Sequence, residues 1–330
     1  MKFILGFCLS FIFCNLCAAQ SIDGLWWKST TVYQIYPRSF YDTNGDGIGD
    51  LEGIIQKLDH VKSLGFETIW ISPFFKSPQR DFGYDISDYR SIAPEYGDME
   101  TCLRLIDEIH KRDMKVVFDL VMNHTSDEHA WFKESSSSRD NLKADWYVWK
   151  DGKGKDGKKP PNNWNATIGG SGWHYHEVRN QFYWASFLDF QPDLNYSNQD
   201  VKNAMLDVAR FWLRNGVDGF RLDIFNSIYE DTSFVNNPGS LRIVPSEESP
   251  DGFFQKMKYN VNQKESFEFA TELRAVVDSF SKPTRFMVGE VFGDVKTTKK
   301  FCTYNGKNGL HTIFLFQTLS TPFKARKWRK

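Results

Sequence analysis

Hydrophobic positions recur along this chain in two alternating patterns. Short continuous runs end at a polar residue, and longer stretches place apolar residues three and four apart. The first pattern reads as a buried strand, the second as an amphipathic helix. Residues 32–36 are predicted as a first strand, and residues 51–64 as a helix with Ile54, Ile55, Leu58 and Val61 on one face. Residues 68–72 make a second strand, stopped by Pro73, which cannot donate to a central ladder. A second helix over residues 99–111 runs through Cys102, Ile106 and Ile109, and residues 115–121 give a third strand.

The rhythm then breaks over residues 124–194. That stretch holds six of the chain's 11 tryptophans and a hydrophilic tract over residues 151–159. Gly152, Gly154 and Gly157 in the tract fit G-x-G-x-x-G, but no apolar strand precedes them and no helix follows, so a solvated loop is predicted rather than a dinucleotide site. The segment reads as a small domain inserted after the third strand. The strand–helix rhythm resumes with a helix at 201–213 that turns Val201, Ala204, Met205, Val208, Phe211 and Trp212 inward. A strand over 217–223, a helix near 266–280 and a strand over 285–291 follow, with residues 311–316 as a sixth candidate strand.

Three of these runs finish in chemistry. Val217-Asp218-Gly219-Phe220-Arg221-Leu222-Asp223 ends with an arginine and a carboxylate two residues apart, on the same side of a strand. A guanidinium there favours the ionised carboxylate that a nucleophile needs. The third strand runs on through Asp119 to Asn123 and His124, and the fifth ends at Glu290. Parallel strands with polar groups at one end are the pattern of an α/β barrel with its active site on one rim.

Composition narrows the class. Hydrophobic residues are 41%, charged residues 25% and the net charge −1, a globular balance with nothing to recruit nucleic acid. Residues 1–19 carry Lys2, an apolar run and a small-residue end at Cys17-Ala18-Ala19, the pattern of a cleaved secretory signal, so a secreted, extracellular protein is expected with no membrane span after cleavage. Beyond it, Cys102 and Cys302 remain, and the sequence leaves their pairing open. Asn165-Ala166-Thr167 is an acceptor pattern for N-glycosylation, expected to be used before those at Asn123 and Asn195. Asp42-Thr43-Asn44-Gly45-Asp46-Gly47-Ile48-Gly49-Asp50 has oxygen donors at alternate positions, as a calcium loop does, but Gly53 stands where an EF-hand has its bidentate glutamate.

Taken together, the motifs resemble the α-amylase family of glycoside hydrolases, and most closely its maltases and oligo-1,6-glucosidases. The resemblance rests on Asp119-Leu120-Val121-Met122-Asn123-His124, Gly219-Phe220-Arg221-Leu222-Asp223, Val288-Gly289-Glu290-Val291 and Gln191-Pro192-Asp193-Leu194-Asn195, in family order. It implies a (β/α)8-type barrel at residues 20–123 and 195–330, with an inserted domain at 124–194. It further implies a secreted α-glucosidase acting on maltose, sucrose or short α-glucosides, with Asp223 as nucleophile and Glu290 as general acid/base. Arg221 would support Asp223, His124 would bond sugar hydroxyls, and Asp81 and Tyr84 would anchor and stack the terminal glucose. The resemblance places a calcium or magnesium ion on Asp42, Asn44, Asp46, Asp50 and the Ile48 carbonyl, in a structural role. Too little chain follows the fifth strand for two more strands, so the barrel is expected to be incomplete after about strand five or six. The family's fourth motif, a histidine–aspartate strand end, has no counterpart. A non-catalytic sugar-binding or interaction protein on the same scaffold is the competing expectation.

Overall fold

The computed structural model describes residues 25–246 and 249–316; the signal expected at residues 1–19 and the basic tail at 324–330 lie outside the described residues. Six strands form one sheet: β1 (Val32–Ile35), β2 (Thr68–Ile71), β3 (Lys115–Val121), β4 (Gly219–Asp223), β5 (Phe286–Gly289) and β6 (Thr312–Ile313). They lie side by side in chain order, and every neighbouring pair is parallel. Parallel neighbours require crossovers, which put helices on the outer face. These are α1 (Leu51–Ser63), α2 (Met99–Lys111), α4 (Gln199–Arg214) and α5 (Lys264–Asp278); α3 (Ala130–Ser137) lies within the insertion and α6 (Val295–Cys302) follows β5.

Local chemistry sets these boundaries. Asp50, Asp98, Asn198 and Asp294 each accept a backbone N–H of the first turn of α1, α2, α4 and α6, satisfying donors that have no partner within the helix. β3 and β4 are buried on both faces, which is why their apolar runs are continuous rather than alternating. At Gly219 a Cβ would sit 2.3 Å from the Phe286 carbonyl oxygen, so only glycine lets β4 start this close to β5. The main core packs Leu58, Ile106, Phe118, Trp212, Phe220 and Leu273 between sheet and helices. Among the described residues its edges are open, because β1 and β6 end the sheet without pairing to each other. The inner face borders a cavity of about 440 Å³ lined by Val32, Trp70, Val117, Val288 and Phe314, where a closed barrel packs side chains in layers.

Residues 124–194 carry a second core. Trp149–Lys150, Gln181–Trp184 and Trp173–His176 form a three-stranded antiparallel sheet, with Trp164, Trp173 and Trp184 packed against Val148 and Phe182. The tract at 151–159 is a largely exposed loop closed by pairing of Lys153 with Lys159. A long irregular segment after β4 covers this core. Phe234 stacks on Trp164, the Trp164 indole N–H donates to the Val235 carbonyl at 2.8 Å, and Asn163 is bonded to Asn236 and Asn237. Neither this docking nor α3 and α6 is evident from hydrophobic periodicity. Cys102 and Cys302 are free thiols.

Candidate active site

Strand register assembles the centre. Arg221 on β4 is paired in register with Asp119 on β3, so their side chains share a face. Glu290 follows β5 and continues the ladder, its N–H donating to the Leu222 carbonyl, which sets Glu290 beside Asp223. Arg221 is the hub. One guanidinium nitrogen donates to Asp119 at 2.9 Å and to Asp223 at 2.5 Å, while the other donates to Glu290 at 2.7 Å. Arg221 is only 7% exposed and Asp223 10%, so these are desolvated pairs rather than surface salt bridges.

Three carboxyls around one buried cation cannot all ionise without leaving excess negative charge in low dielectric. The structure relieves this at Glu290, whose carboxyl is pushed up to about 8, first by burial and then by the Asp223 charge. Glu290 Oε2 also accepts the Ile224 N–H at 3.2 Å, and the nearby Asp223 carboxylate favours the protonated form of Glu290. Burial likewise lifts Asp119 above the usual carboxylate range despite Arg221. Asp119 accepts from the Trp70 indole N–H at 3.3 Å and the Tyr84 hydroxyl at 3.4 Å, so it braces the rim.

Asp223, Glu290, Arg221, His124, Asp81 and Tyr84 all line one cavity of about 380 Å³, together with Phe187 and Phe292. This is the size range of small-molecule sites. Asp81 and Tyr84 end a tight turn closed by the Tyr84 N–H on the Asp81 carbonyl, so Phe82-Gly83 makes a turn that presents both side chains to the cavity. His124 is 2% exposed and burial lowers its pKa, so the ring is neutral. Its Nδ1 lies 3.0 Å from Asn123 Oδ1, while Nε2 is buried without a hydrogen-bond partner among the described residues. Ile224, next to Asp223, has φ +44°, a left-handed conformation costly for a β-branched residue and typical of strained functional turns. A second chamber of about 240 Å³ shares Thr167, Ile224 and Phe292 with the first.

The remaining expected site residues lie apart, in the loop between β1 and α1. Asp42 accepts the N–H groups of Asn44, Gly45 and Gly47, which hold its carboxyl below the usual range. Asp46 accepts the Ile48 N–H and Asp50 caps α1. The donor set is all oxygen, which suits a hard cation. Among the described residues no three acidic, histidine or cysteine side chains converge as a metal centre, because these carboxylates turn to the loop's own amides.

Sequence reasoning passed over a buried acidic pair behind the cavity. Asp193 accepts from Ser186 and from Asn123 Nδ2, and the buried carboxyl of Glu230, from the segment after β4, is electrostatically coupled to it. Burial raises both carboxyls, Glu230 well above its ordinary range, so the pair retains a proton. Asn123 also donates to the Ser227 carbonyl and is 1% exposed, which leaves its acceptor pattern no room for a glycan. A carboxylate in a sequence motif gives no sign that its partner lies elsewhere in the chain.

A parallel β/α sheet with two carboxyls and an arginine at adjacent strand ends, beside a cavity of about 380 Å³, defines the class as a barrel-type α/β fold with its polar site on one rim. Residues 34–330 match the α-amylase catalytic domain, and the chain belongs to the α-amylase family. It is 47% identical over 311 residues to the oligo-1,6-glucosidase of Heyndrickxia coagulans, covering 92% of this chain and 53% of the relative. It is 46% identical over 306 residues to a probable α-glucosidase of Rhizobium meliloti, covering 90% and 54%. The crystal structure of an α-glucosyl transfer enzyme, XgtA, superposes with a TM-score of 0.85 at 45% identity, over 92% of this chain and 57% of that one. The chain thus spans about half the length of the curated relatives it matches.

Proposed function

We propose that the chain carries the catalytic centre of a retaining α-glucosidase that releases terminal glucose from maltose, sucrose or short α-glucosides. The observation that carries this is the convergence of Asp223 and Glu290 on one guanidinium at the rim of one cavity, with Arg221 donating to Asp223 at 2.5 Å and to Glu290 at 2.7 Å. Retaining glycosidases need their two carboxyls about 5–5.5 Å apart, and inverting ones leave room for a water between them. Two carboxyls bridged by one guanidinium stand close together, which supports the retaining arrangement.

In this reading an Asp223 oxygen attacks the anomeric carbon as the glycosidic C–O bond breaks, and Glu290 gives its proton to the departing oxygen. Glu290 then takes a proton from water, whose oxygen attacks the same carbon and releases Asp223. His124 and Asp81 receive sugar hydroxyls, Tyr84 lies against the ring, and the second chamber takes the leaving group. The relatives' names support α-glucosidic substrates, an oligo-1,6-glucosidase and a probable α-glucosidase among them. The 1–19 segment supports secretion, and Asn165 is the proposed glycan site. Asp42, Asn44, Asp46, Asp50 and the Ile48 carbonyl would hold Ca2+ or Mg2+ as a brace for the β1–α1 loop, taking no part in the reaction.

One observation favours a second reading. The described six-stranded sheet does not close into a barrel, which suits a chain that binds sugars without turning them over. Hydrolysis of maltose and sucrose by the purified chain, beside its Asp223→Asn variant, separates the two. Activity lost in the variant supports the enzyme, and inactivity of both with retained glucose binding supports the binder.

A further inference from the structure

The Asp81 carboxylate reaches into the sugar cavity from a turn, and a carboxylate on a turn is free to rotate unless something holds its plane. Asp81 is half-buried, and the side chains around its loop are committed elsewhere. Asp85 accepts from Ser77 and from the N–H groups of Arg80 and Asp81, and Arg80 pairs with Asp127 and lies over the Phe190 ring. Among the described residues one hydrogen bond reaches the Asp81 carboxylate. It comes from Gln191 Nε2, at 2.8 Å from Oδ2.

Gln191 is itself fully buried and belongs to the end of the insertion. Its segment is laced to the loop after β3, with Thr125 N–H on the Pro192 carbonyl, Asp127 N–H on that of Phe190 and Leu194 N–H on that of Asn123. Its own N–H closes a turn on the Leu188 carbonyl. The amide orientation is settled by chemistry, since an ionised carboxylate only accepts and must face the NH2 group. A neutral donor orients one oxygen of Asp81 and leaves its charge and its other oxygen for a ligand hydroxyl.

We infer that Gln191 is a positioning residue through which the inserted segment sets sugar affinity, by fixing the Asp81 carboxylate in the cavity. This rests on the proposed function for the identity of the sugar; of the side chains that line the cavity Gln191 bonds Asp81, while its Oε1 accepts the Leu188 N–H at 3.4 Å. Removing the donor frees the carboxylate without touching Asp223, Glu290 or Arg221. The effect therefore falls on binding more than on turnover.

The test measures KM and kcat on p-nitrophenyl α-glucoside and glucose Kd by calorimetry, for wild type, Gln191→Met and Gln191→Glu. Gln191→Met is expected to raise KM and glucose Kd about ten-fold with kcat changed less than about three-fold, the size of one charge-assisted hydrogen bond. Gln191→Glu keeps the shape but must share a proton with Asp81, so its glucose Kd rises with pH more steeply than that of the wild type. In an Asp81→Ala background Gln191→Met should add nothing further. Unchanged glucose Kd in both single variants overturns the inference, as does an equal effect of Gln191→Met without Asp81. A wild type that binds glucose and hydrolyses nothing sinks only the proposed function, and the Kd comparison still decides on Gln191. A wild type that binds no glucose sinks both.

Discussion

At the scale of residues, Arg221 touches all three carboxyls of the centre, and Glu290 is the one pushed up to about 8. This gives two consequences of opposite kind. For catalysis, Glu290 must be protonated to donate, so kcat/KM should fall as pH rises through about 8, where its carboxyl titrates. Glu290→Gln should lower kcat on maltose by about 10²–10⁴-fold and abolish that alkaline limb. A variant that keeps both rate and limb would remove Glu290 from the acid role. For stability, the folded pKa lies above the ordinary value near 4.5. Folding therefore binds a proton, and the contribution is complete below that ordinary value and lost as pH rises through about 8. Melting temperature should fall across this window in the wild type and fall less in Glu290→Gln, read by scanning calorimetry at constant ionic strength.

At the scale of elements, two attachments of the insertion differ in chemistry. The acidic pair Asp193–Glu230 is polar and proton-dependent, whereas Trp164 is fully buried against Phe234, Trp173 and Trp184. Trp164→Ala should cost about 3–5 kcal/mol, a large-to-small loss, and should loosen Thr167 and Phe187 at the cavity, raising KM for maltose. Urea unfolding followed by tryptophan fluorescence measures the first effect and steady-state kinetics the second. In the β1–α1 loop, saturating chelator should lower the melting temperature by several degrees if the oxygen cluster holds a metal, and no shift would withdraw the ion. These elements also show what the sequence made legible. The strand ends at Asp119, Asp223 and Glu290 could be read because buried parallel strands are continuous apolar runs with polar stops, and helices over 51–63, 99–111 and 199–214 because one face is apolar. The docking of residues 234–237 onto Asn163 and Trp164 could not, because that segment has no period and gains its structure from side-chain hydrogen bonds such as those of Asn237 and Gln255. Nor could the bond from Gln191 to Asp81, which joins residues 110 apart in sequence.

At the scale of the whole molecule, an open parallel sheet has consequences that its active-site rim does not reveal. β1 and β6 each offer unpaired backbone donors and acceptors among the described residues, and Val32 on β1 is 46% exposed. Natural edges of this kind are blunted by charge, proline or cover. Here the flanking inner face carries Trp70, Val117, Val288 and Phe314 around a cavity, so edge and apolar wall are presented together. Association through that face buries apolar area and pairs the edge at once, whether the second surface is another copy or the half of the relatives' length that this chain does not span. The purified chain alone should therefore self-associate with rising concentration, seen as increasing sedimentation coefficient. Val32→Lys should shift that transition to higher concentration by placing a charge that cannot be desolvated at the edge. Because Val32 lies far along the chain from Asp223 and Glu290 and is already half in solvent, the substitution should leave melting temperature within a few degrees. A chain that stays monomeric at every concentration, in both forms, would mean that the edge is already covered by its own residues.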